Sequence, residues 1–157
     1  MLRVSGIPPL ATLLAALAVA GCGSEKDENA PTACLAKPDA YISALEAAPG
    51  AVRLEGEVPI SDCLVPSQSG GELANIGGAM VVAATKLNNE ARSDPGGPAA
   101  VQLGYLIGAA GKGADSIHTD LMRRLNTSAQ FSASGETLPP EFQQAFGRGY
   151  TAGRTSG

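Results

Sequence analysis

Apolar side chains recur at helical spacing through most of the chain after position 69. A capping box, Ser69 followed by Glu72, marks the start of the first long helix. Its apolar face consists of Leu73, Ile76, Met80, Ala84 and Leu87. We expect this helix to continue to about Arg92, because the run 94–98 that follows is rich in proline and glycine.

Three further helices follow from the same periodicity and from proline and glycine punctuation. Their expected ranges are about 98–112, 116–126 and 139–152. Glycines near the end of the last helix weaken it, so we expect fraying over 153–157. The predicted fold is therefore all-α: a small bundle of about four helices, joined by a shorter N-terminal helix near 40–48 and by one extended segment.

The second long helix of this prediction, over about 98–112, carries glycines at three positions of one face, Gly104, Gly108 and Gly111. Small residues at this spacing permit close helix approach, as in membrane helix dimers. The run is too short and too polar to span a bilayer, so we interpret the face as close packing within the bundle. A second interpretation is room between helices for a small apolar ligand.

The extended segment covers Val52 to Ile60, where apolar and polar residues alternate. Pro59 and Gly56 are unsuited to a central strand, and no second strand is evident to pair with it. One interpretation is a segment lying across the helices. The other is an edge strand offered to a partner or a second copy.

Aromatic residues are scarce, and three of the six fall on one stripe of the last helix. Core packing is one use of this stripe, and a contact surface for another protein is the other. Together with the extended segment, it gives a candidate contact surface of Val52, Leu54, Val58, Phe142, Phe146 and Tyr150.

The first 22 residues combine the basic Arg3, an apolar run over 10–20 and the sequence Val19-Ala20-Gly21-Cys22. This combination resembles the signal peptide and lipobox of bacterial lipoproteins, over residues 1–22 only. The resemblance implies removal of residues 1–21 and attachment of a diacylglyceryl group, and so of palmitate-like acyl chains, to the Cys22 thiol. A plain secretory leader cut after Ala20 is the alternative.

A lipid on Cys22 determines the expected organisation of the rest. Residues 22–32 are small, polar and charged, and we expect a disordered tether. Residues 33–157 would form the helical domain, held outside the cytoplasm at the cell membrane or outer membrane. Two or more acyl chains, at ~0.8 kcal/mol per buried methylene, are enough for stable attachment.

The cysteine count follows from the same assignment. With Cys22 lipidated, Cys34 and Cys63 remain, and in an exported chain they most simply form one disulfide. On the loop-entropy model this bond contributes roughly 3–4 kcal/mol to stability. A pair of free thiols is the alternative.

Charge argues against two classes of partner. The chain has 11 basic and 15 acidic residues, a net charge of −4, and loss of Arg3 with the leader leaves 10 against 15, or −5. An acidic protein without a basic patch is not expected to bind nucleic acid. It is also not expected to adhere electrostatically to anionic lipid, so attachment should depend on the anchor.

Catalytic and metal-binding patterns are missing from the sequence. His118, the single histidine, lies two residues from both Ser116 and Asp120, which places the three on different faces of a helix. Two cysteines and one histidine lack a fourth soft ligand for zinc. We therefore predict no metal, no cofactor and no enzymatic activity. The remaining enzyme hypothesis needs His118 with a carboxylate from elsewhere in the fold.

These observations favour a membrane-anchored envelope lipoprotein that acts as a non-catalytic adaptor or protein-binding module, with another envelope protein as its expected partner. The alternative is a binder of a small apolar ligand between helices.

Overall fold

The computed structural model describes residues 29–131 and 137–157, and the leader, Cys22 and residues 23–28 of the predicted tether lie outside these ranges. Within the described residues the chain forms five α-helices and three 3₁₀ turns, with no strand. The helices are α1 (Pro38–Leu45), α2 (Gly70–Ser93), α3 (Pro98–Gly113), α4 (Thr119–Ser128) and α5 (Pro140–Ser156). The predicted all-α bundle, with a short first helix and four main helices, is confirmed.

Helix α3 is the centre of the bundle. Eleven of its 16 residues are buried, because α1, α2, α4, α5 and the 3₁₀ turn Ile60–Cys63 all pack against it. Its sequence fits this position, since Lys112 in the last turn is its one charged residue and all the others except Gln102 are small, apolar or aromatic.

Glycines allow α3 and α5 to approach until their backbones touch. A Cβ atom on Gly104 would collide with the carbonyl oxygen of Phe146, and one on Gly149 would collide with that of Val101. A Cβ on Gly108, Gly153 or Gly157 would collide in a similar way with atoms of the facing helix. The expected close packing of the glycine face is confirmed, and α5 fills the space considered for a ligand there.

The end of α5 is held in place by neighbouring elements. The helix continues to Ser156, and Gly157 is buried. The Gly157 carbonyl oxygen accepts hydrogen bonds from Ser61 Oγ at 2.6 Å and Lys112 Nζ at 2.8 Å. The predicted fraying over 153–157 is wrong, because the glycines that lower helix propensity are the residues that allow contact with α3.

The segment 52–60 is folded back on itself. Leu54 and Val58 form a single antiparallel bridge around a turn in which Gly56 has a φ of 81°. Val52 and Leu54 are buried in the core, and Ile60 begins a 3₁₀ turn. The segment packs against the helices as one interpretation expected, with the Val52 N–H bonded to the Tyr105 hydroxyl of α3, but the predicted extended course is wrong because the chain reverses at Glu55 and Gly56. The edge-strand interpretation is wrong, because the apolar side is buried inside the domain.

The predicted disulfide is formed. Cys34 and Cys63, with Cα atoms 5.4 Å apart, join the 3₁₀ turns Thr32–Leu35 and Ile60–Cys63. The buried Tyr41 hydroxyl donates a hydrogen bond to the Cys34 carbonyl oxygen at 2.7 Å, and burial raises the pKa of Tyr41 above its ordinary value. The bond therefore sits in a closed part of the core.

The start of α2 differs from the predicted capping box in one respect. Ser69 Oγ accepts a hydrogen bond from the Glu72 N–H at 3.3 Å, as expected. The Glu72 carboxylate, however, accepts from the Ala30 N–H at 3.0 Å. Ala30 is buried and a 3₁₀ turn begins at Thr32, so the last residues of the predicted tether belong to the folded domain.

Candidate functional site

Four of the six aromatic side chains form a continuous row along one side of α5. The ring centroids of Phe131 and Phe142 are 4.4 Å apart, and those of Phe142 and Phe146 are 5.6 Å apart. Phe146 and Tyr150 follow at 6.3 Å with nearly parallel rings. The last two spacings lie in the range for favourable aromatic pairs, about 4.5–7 Å, and the first lies at its short end. We call this row the aromatic ladder.

The ladder leads from the core to the surface. Phe142 is 4% exposed, Phe146 is half-buried and Tyr150 is 41% exposed. Of the six predicted contact residues, Tyr150 is therefore exposed, and Phe146 and Val58 are partly buried. The assignments of Val52, Leu54 and Phe142 to a contact surface are wrong, because these side chains pack into the core.

A groove of about 400 Å³ opens beside the ladder, between the end of α4 and the first half of α5. Its lining consists of Asn126, Ala129, Gln130, Phe131, Leu138, Phe142, Gln143 and Phe146. None of these described residues carries a formal charge. Phenyl rings and aliphatic side chains supply the apolar surface, and three side-chain amides supply donors and acceptors. We call this space the aromatic groove.

Hydrogen bonds from α2 determine where one wall of the groove lies. The buried Asn88 donates from Nδ2 to the carbonyl oxygens of Ser128 at 3.0 Å and Gln130 at 2.8 Å. Arg92 donates to the same Gln130 oxygen at 3.1 Å. These bonds fix the chain where it leaves α4, and so place the Phe131 ring next to Phe142 in the ladder. Among the described residues Asn88 Oδ1 has no hydrogen-bond partner.

The other wall is held by α5 itself. Gln143 Nε2 donates to the Leu138 carbonyl oxygen at 2.8 Å, which fixes the residues just before the helix. Pro140 at the first position of α5 suits a helix start, because its missing N–H is not needed there. Both walls are thus held by hydrogen bonds from side chains to backbone carbonyl oxygens.

The surroundings of His118 are hydrogen-bonding groups of the domain itself. Its side chain is fully buried. Nδ1 lies 3.0 Å from the Asp115 N–H and also 3.0 Å from the Asp115 carboxylate, and Nε2 lies 3.2 Å from Gln68 Oε1. Gln68 in turn donates to the Cys63 carbonyl oxygen at 3.0 Å. The ring links the cap that precedes α4 to the disulfide region.

A second cleft, of about 590 Å³, lies where the described chain begins. Its lining includes Asn29, Leu64, Val65, Lys112 and Asp115. Lys112 is directed to the carbonyl oxygens at the end of α5, and Asp115 Oδ1 accepts from the Ile117 N–H. Lys112 and Asp115 thus serve helix ends, and the third charged residue of the lining, Asp62, lies in the 3₁₀ turn Ile60–Cys63.

Over the ranges 29–131 and 137–157, no group of three or more His, Cys, Asp or Glu side chains is arranged to hold a metal ion. The helices in those ranges are also too short or too polar to cross a membrane. No family model matches the chain, and comparisons with curated proteins and with solved structures also found no match.

The sequence prediction missed two residues that build the groove. Phe131 lies outside any periodic segment, although a lone phenylalanine in a polar loop is itself a signal of packing. Asn88 lies one position from the apolar face of α2, and only the tertiary fold shows that it is buried. Both act through partners more than 10 residues away in sequence, which periodicity does not report.

Proposed function

We propose that this chain is a lipid-anchored protein of the cell envelope whose helical domain serves as a non-catalytic protein-binding module. The observation that supports binding is the aromatic groove, because two partly buried phenyl rings, Phe131 and Phe146, line it, and Phe146 stacks on the exposed Tyr150. The lipobox resemblance at Cys22 supports the anchor.

The environment of His118 supports a non-catalytic role. The ring is fully buried, and both ring nitrogens are within hydrogen-bond distance of groups of the domain. A general acid or base must reach the proton of a bound substrate, directly or through one water. In the present fold the single histidine serves the cap before α4.

A small apolar ligand is the second candidate occupant. The volume of the aromatic groove, about 400 Å³, falls within the range of small-molecule pockets. This candidate differs from the earlier hypothesis in its location, because the glycine face of α3 is occupied by α5. Binding tests with peptides and with fatty acids separate the two candidates.

The anchor is tested by changing the residue that would carry it. In cells fed a clickable palmitate analogue, wild-type protein should incorporate label and partition with membranes. Cys22→Ser should lose both the label and the membrane association, and Cys34→Ser should keep both. A wild-type protein that lacks label would contradict the anchor.

The binding module is tested by photo-crosslinking in intact cells. A benzoylphenylalanine replacing Tyr150 should give a discrete crosslinked species with a second protein. The same photoreactive residue replacing Val82, an exposed apolar residue of α2, is the matched control and should not give that species. Equal crosslinking from both positions, or none from position 150, would contradict a specific protein contact at this surface.

A further inference from the structure

The cap that precedes α4 is a capping box in which a histidine takes the position usually held by glutamate or glutamine. Asp115 Oδ1 accepts a hydrogen bond from the Ile117 N–H at 3.0 Å, and His118 Nδ1 accepts one from the Asp115 N–H, also at 3.0 Å. A carboxylate or amide oxygen accepts such a bond throughout the neutral pH range, whereas a ring nitrogen accepts it only while it carries no proton. This cap therefore depends on the charge of His118.

Hydrogen bonds on both sides of the ring select one neutral form of it. Because Nδ1 accepts from the backbone, the proton of the neutral ring is on Nε2, which lies 3.2 Å from Gln68 Oε1. The Gln68 amide nitrogen donates to the Cys63 carbonyl oxygen at 3.0 Å, which directs its oxygen to the ring. Both ring nitrogens of the buried His118 are thus satisfied only in the neutral state.

A second proton on the ring would disturb this arrangement. It would place an N–H at Nδ1 against the Asp115 N–H, so that hydrogen bond is lost and the amide has no acceptor. It would also put a positive charge on a fully buried side chain. The Asp115 carboxylate lies 3.0 Å from Nδ1 and offsets part of this cost, but its side chain is 37% exposed, so water screens the attraction. The two costs together favour opening of the cap.

Other charged groups near the ring have surroundings of their own. Among the described residues, Asp115 is the acidic side chain within salt-bridge distance of the ring nitrogens. The adjoining elements carry Asp62 in the turn Ile60–Cys63, Glu72 at the start of α2, Lys112 at the end of α3, and Asp120, Arg123 and Arg124 in α4. The first three bond to Ser61 Oγ, the Ala30 N–H and the Gly157 carbonyl oxygen, Asp120 pairs with Arg123, and Arg124 is exposed. Asp115 is therefore the charged group that acts directly on the ring.

We propose that His118 makes the start of α4 a pH-sensitive cap. When the ring gains a proton in mildly acidic medium, the bond from the Asp115 N–H breaks, residues 115–118 open and the ring leaves Gln68. Histidine is the side chain that ordinarily changes charge between about pH 8 and pH 5. The opening is absent while the ring is neutral and grows as the pH falls.

The opening is local and changes the cleft of about 590 Å³, because Asp115 forms part of its lining. Residues 115–117 are already exposed, so His118 is the one buried side chain of this turn that must move. The contact between α3 and α5 and the Cys34–Cys63 bond do not involve the ring, and they hold the rest of the domain. The proposal depends neither on the lipid anchor nor on the binding module.

The test measures amide hydrogen exchange by NMR on the full chain, in detergent micelles that accommodate a lipid on Cys22. Between about pH 7.5 and pH 5, the protection of the Asp115 amide, corrected for intrinsic exchange, should fall about tenfold. Core amides of α3 should keep their protection. His118→Gln is the matched control, because a glutamine can accept from the Asp115 N–H and donate to Gln68 at both pH values. Its Asp115 amide should show no pH-dependent loss.

A second variant tests the compensating charge. Asp115→Asn keeps an oxygen that accepts from the Ile117 N–H but removes the carboxylate that offsets a charged ring. The loss of protection at position 115 at about pH 5 should therefore be larger than in the wild type. This variant decides the question if His118→Gln fails to fold by circular dichroism, and an equal or smaller loss would then overturn the proposal.

Three outcomes in the wild type and the control would also overturn the switch. Constant protection of the Asp115 amide down to about pH 5 would mean that the cap stays closed, whether or not the ring ¹⁵N shifts show it charged. Ring shifts that place the proton on Nδ1 at about pH 7.5 would contradict the bond from the Asp115 N–H. A loss of protection that persists in His118→Gln would assign the pH dependence to another group.

Discussion

The two sides of α5 pack in different ways and are built from different residues. The side that faces α3 is built from glycines, and the two backbones are in contact along most of the helix. The side that faces α4 is built from phenylalanine and tyrosine, and it leaves a groove of about 400 Å³. One helix thus has a closed side, packed against α3, and an open side, next to the groove.

The difference between the two sides of α5 shows how a small domain with few aromatic residues can keep some of them accessible. Close backbone contact buries α5 against α3 without large side chains, because dispersion contacts between closely packed atoms add up. The aromatic side chains of α5 are then not all needed to hold the helix, and Phe146 and Tyr150 remain available at the surface. The following predictions test this division.

The largest expected effect on stability comes from separating the closed side of α5 from α3. The double variant Gly104→Ala, Gly149→Ala places Cβ atoms against backbone carbonyls that cannot move without separating the helices. We expect the free energy of unfolding to fall by about 3 kcal/mol or more, measured by urea denaturation. Gly147→Ala, on the same helix with open space around it, is the control and should raise stability by about 0.5–1 kcal/mol. Equal effects at both positions would contradict the assigned packing.

The next effect concerns the wall of the open side. Asn88→Leu removes two hydrogen bonds to the carbonyl oxygens of Ser128 and Gln130, and should lower the free energy of unfolding by about 1–3 kcal/mol. It should also broaden the NMR signals of Phe131. Asn89→Leu, at the exposed neighbouring position, should change neither measurement. An unperturbed Phe131 in Asn88→Leu would show that the wall is fixed by other contacts.

A smaller effect is expected at the ladder itself. Phe146→Gln should lower the free energy of unfolding by at most about 1.5 kcal/mol, because the ring is only partly buried and α5 is held mainly by α3. The thermal unfolding midpoint measures this change. A loss as large as that of the glycine double variant would mean that the aromatic side also closes the core.

The smallest expected effect on stability concerns an exposed ion pair outside α5, which serves as a reference for surface contacts. Lys86 Nζ donates to the exposed Asp39 carboxylate at 2.6 Å, and this hydrogen bond, followed by the charge of Lys86, lowers the pKa of Asp39 below 3.8. A lowered folded-state pKa contributes stability above pH 3.8 that is lost as the pH falls through the folded value. Lys86→Ala should return the Asp39 pKa toward 3.8 by NMR titration, with little change in stability at pH 7.

Much of the fold could be predicted from local pattern. The apolar spacing after Ser69 and the prolines at Pro98 and Pro140 located the long helices, because these signals act within one element. The Cys34–Cys63 pairing followed from counting cysteines in a chain that resembles an exported one. The glycine face of α3 indicated close packing but not its partner.

The candidate site was less predictable, because it depends on contacts between elements. The aromatic stripe of α5 was evident from spacing, yet spacing alone could not separate the buried Phe142 from the exposed Tyr150. Alternation over 52–60 was read correctly as one apolar side, but the partner of that side turned out to be the domain's own core.

Helical periodicity, acidic charge and the set of residues available for packing can be obtained from the sequence, since they need only the order and the kinds of residues. Which glycines meet which backbone, and which aromatic rings stay accessible, depends on the tertiary fold, because both are set by distances between residues far apart in the chain. Gly149 lowers helix propensity locally, and it permits close backbone contact with Val101 once α3 lies beside it.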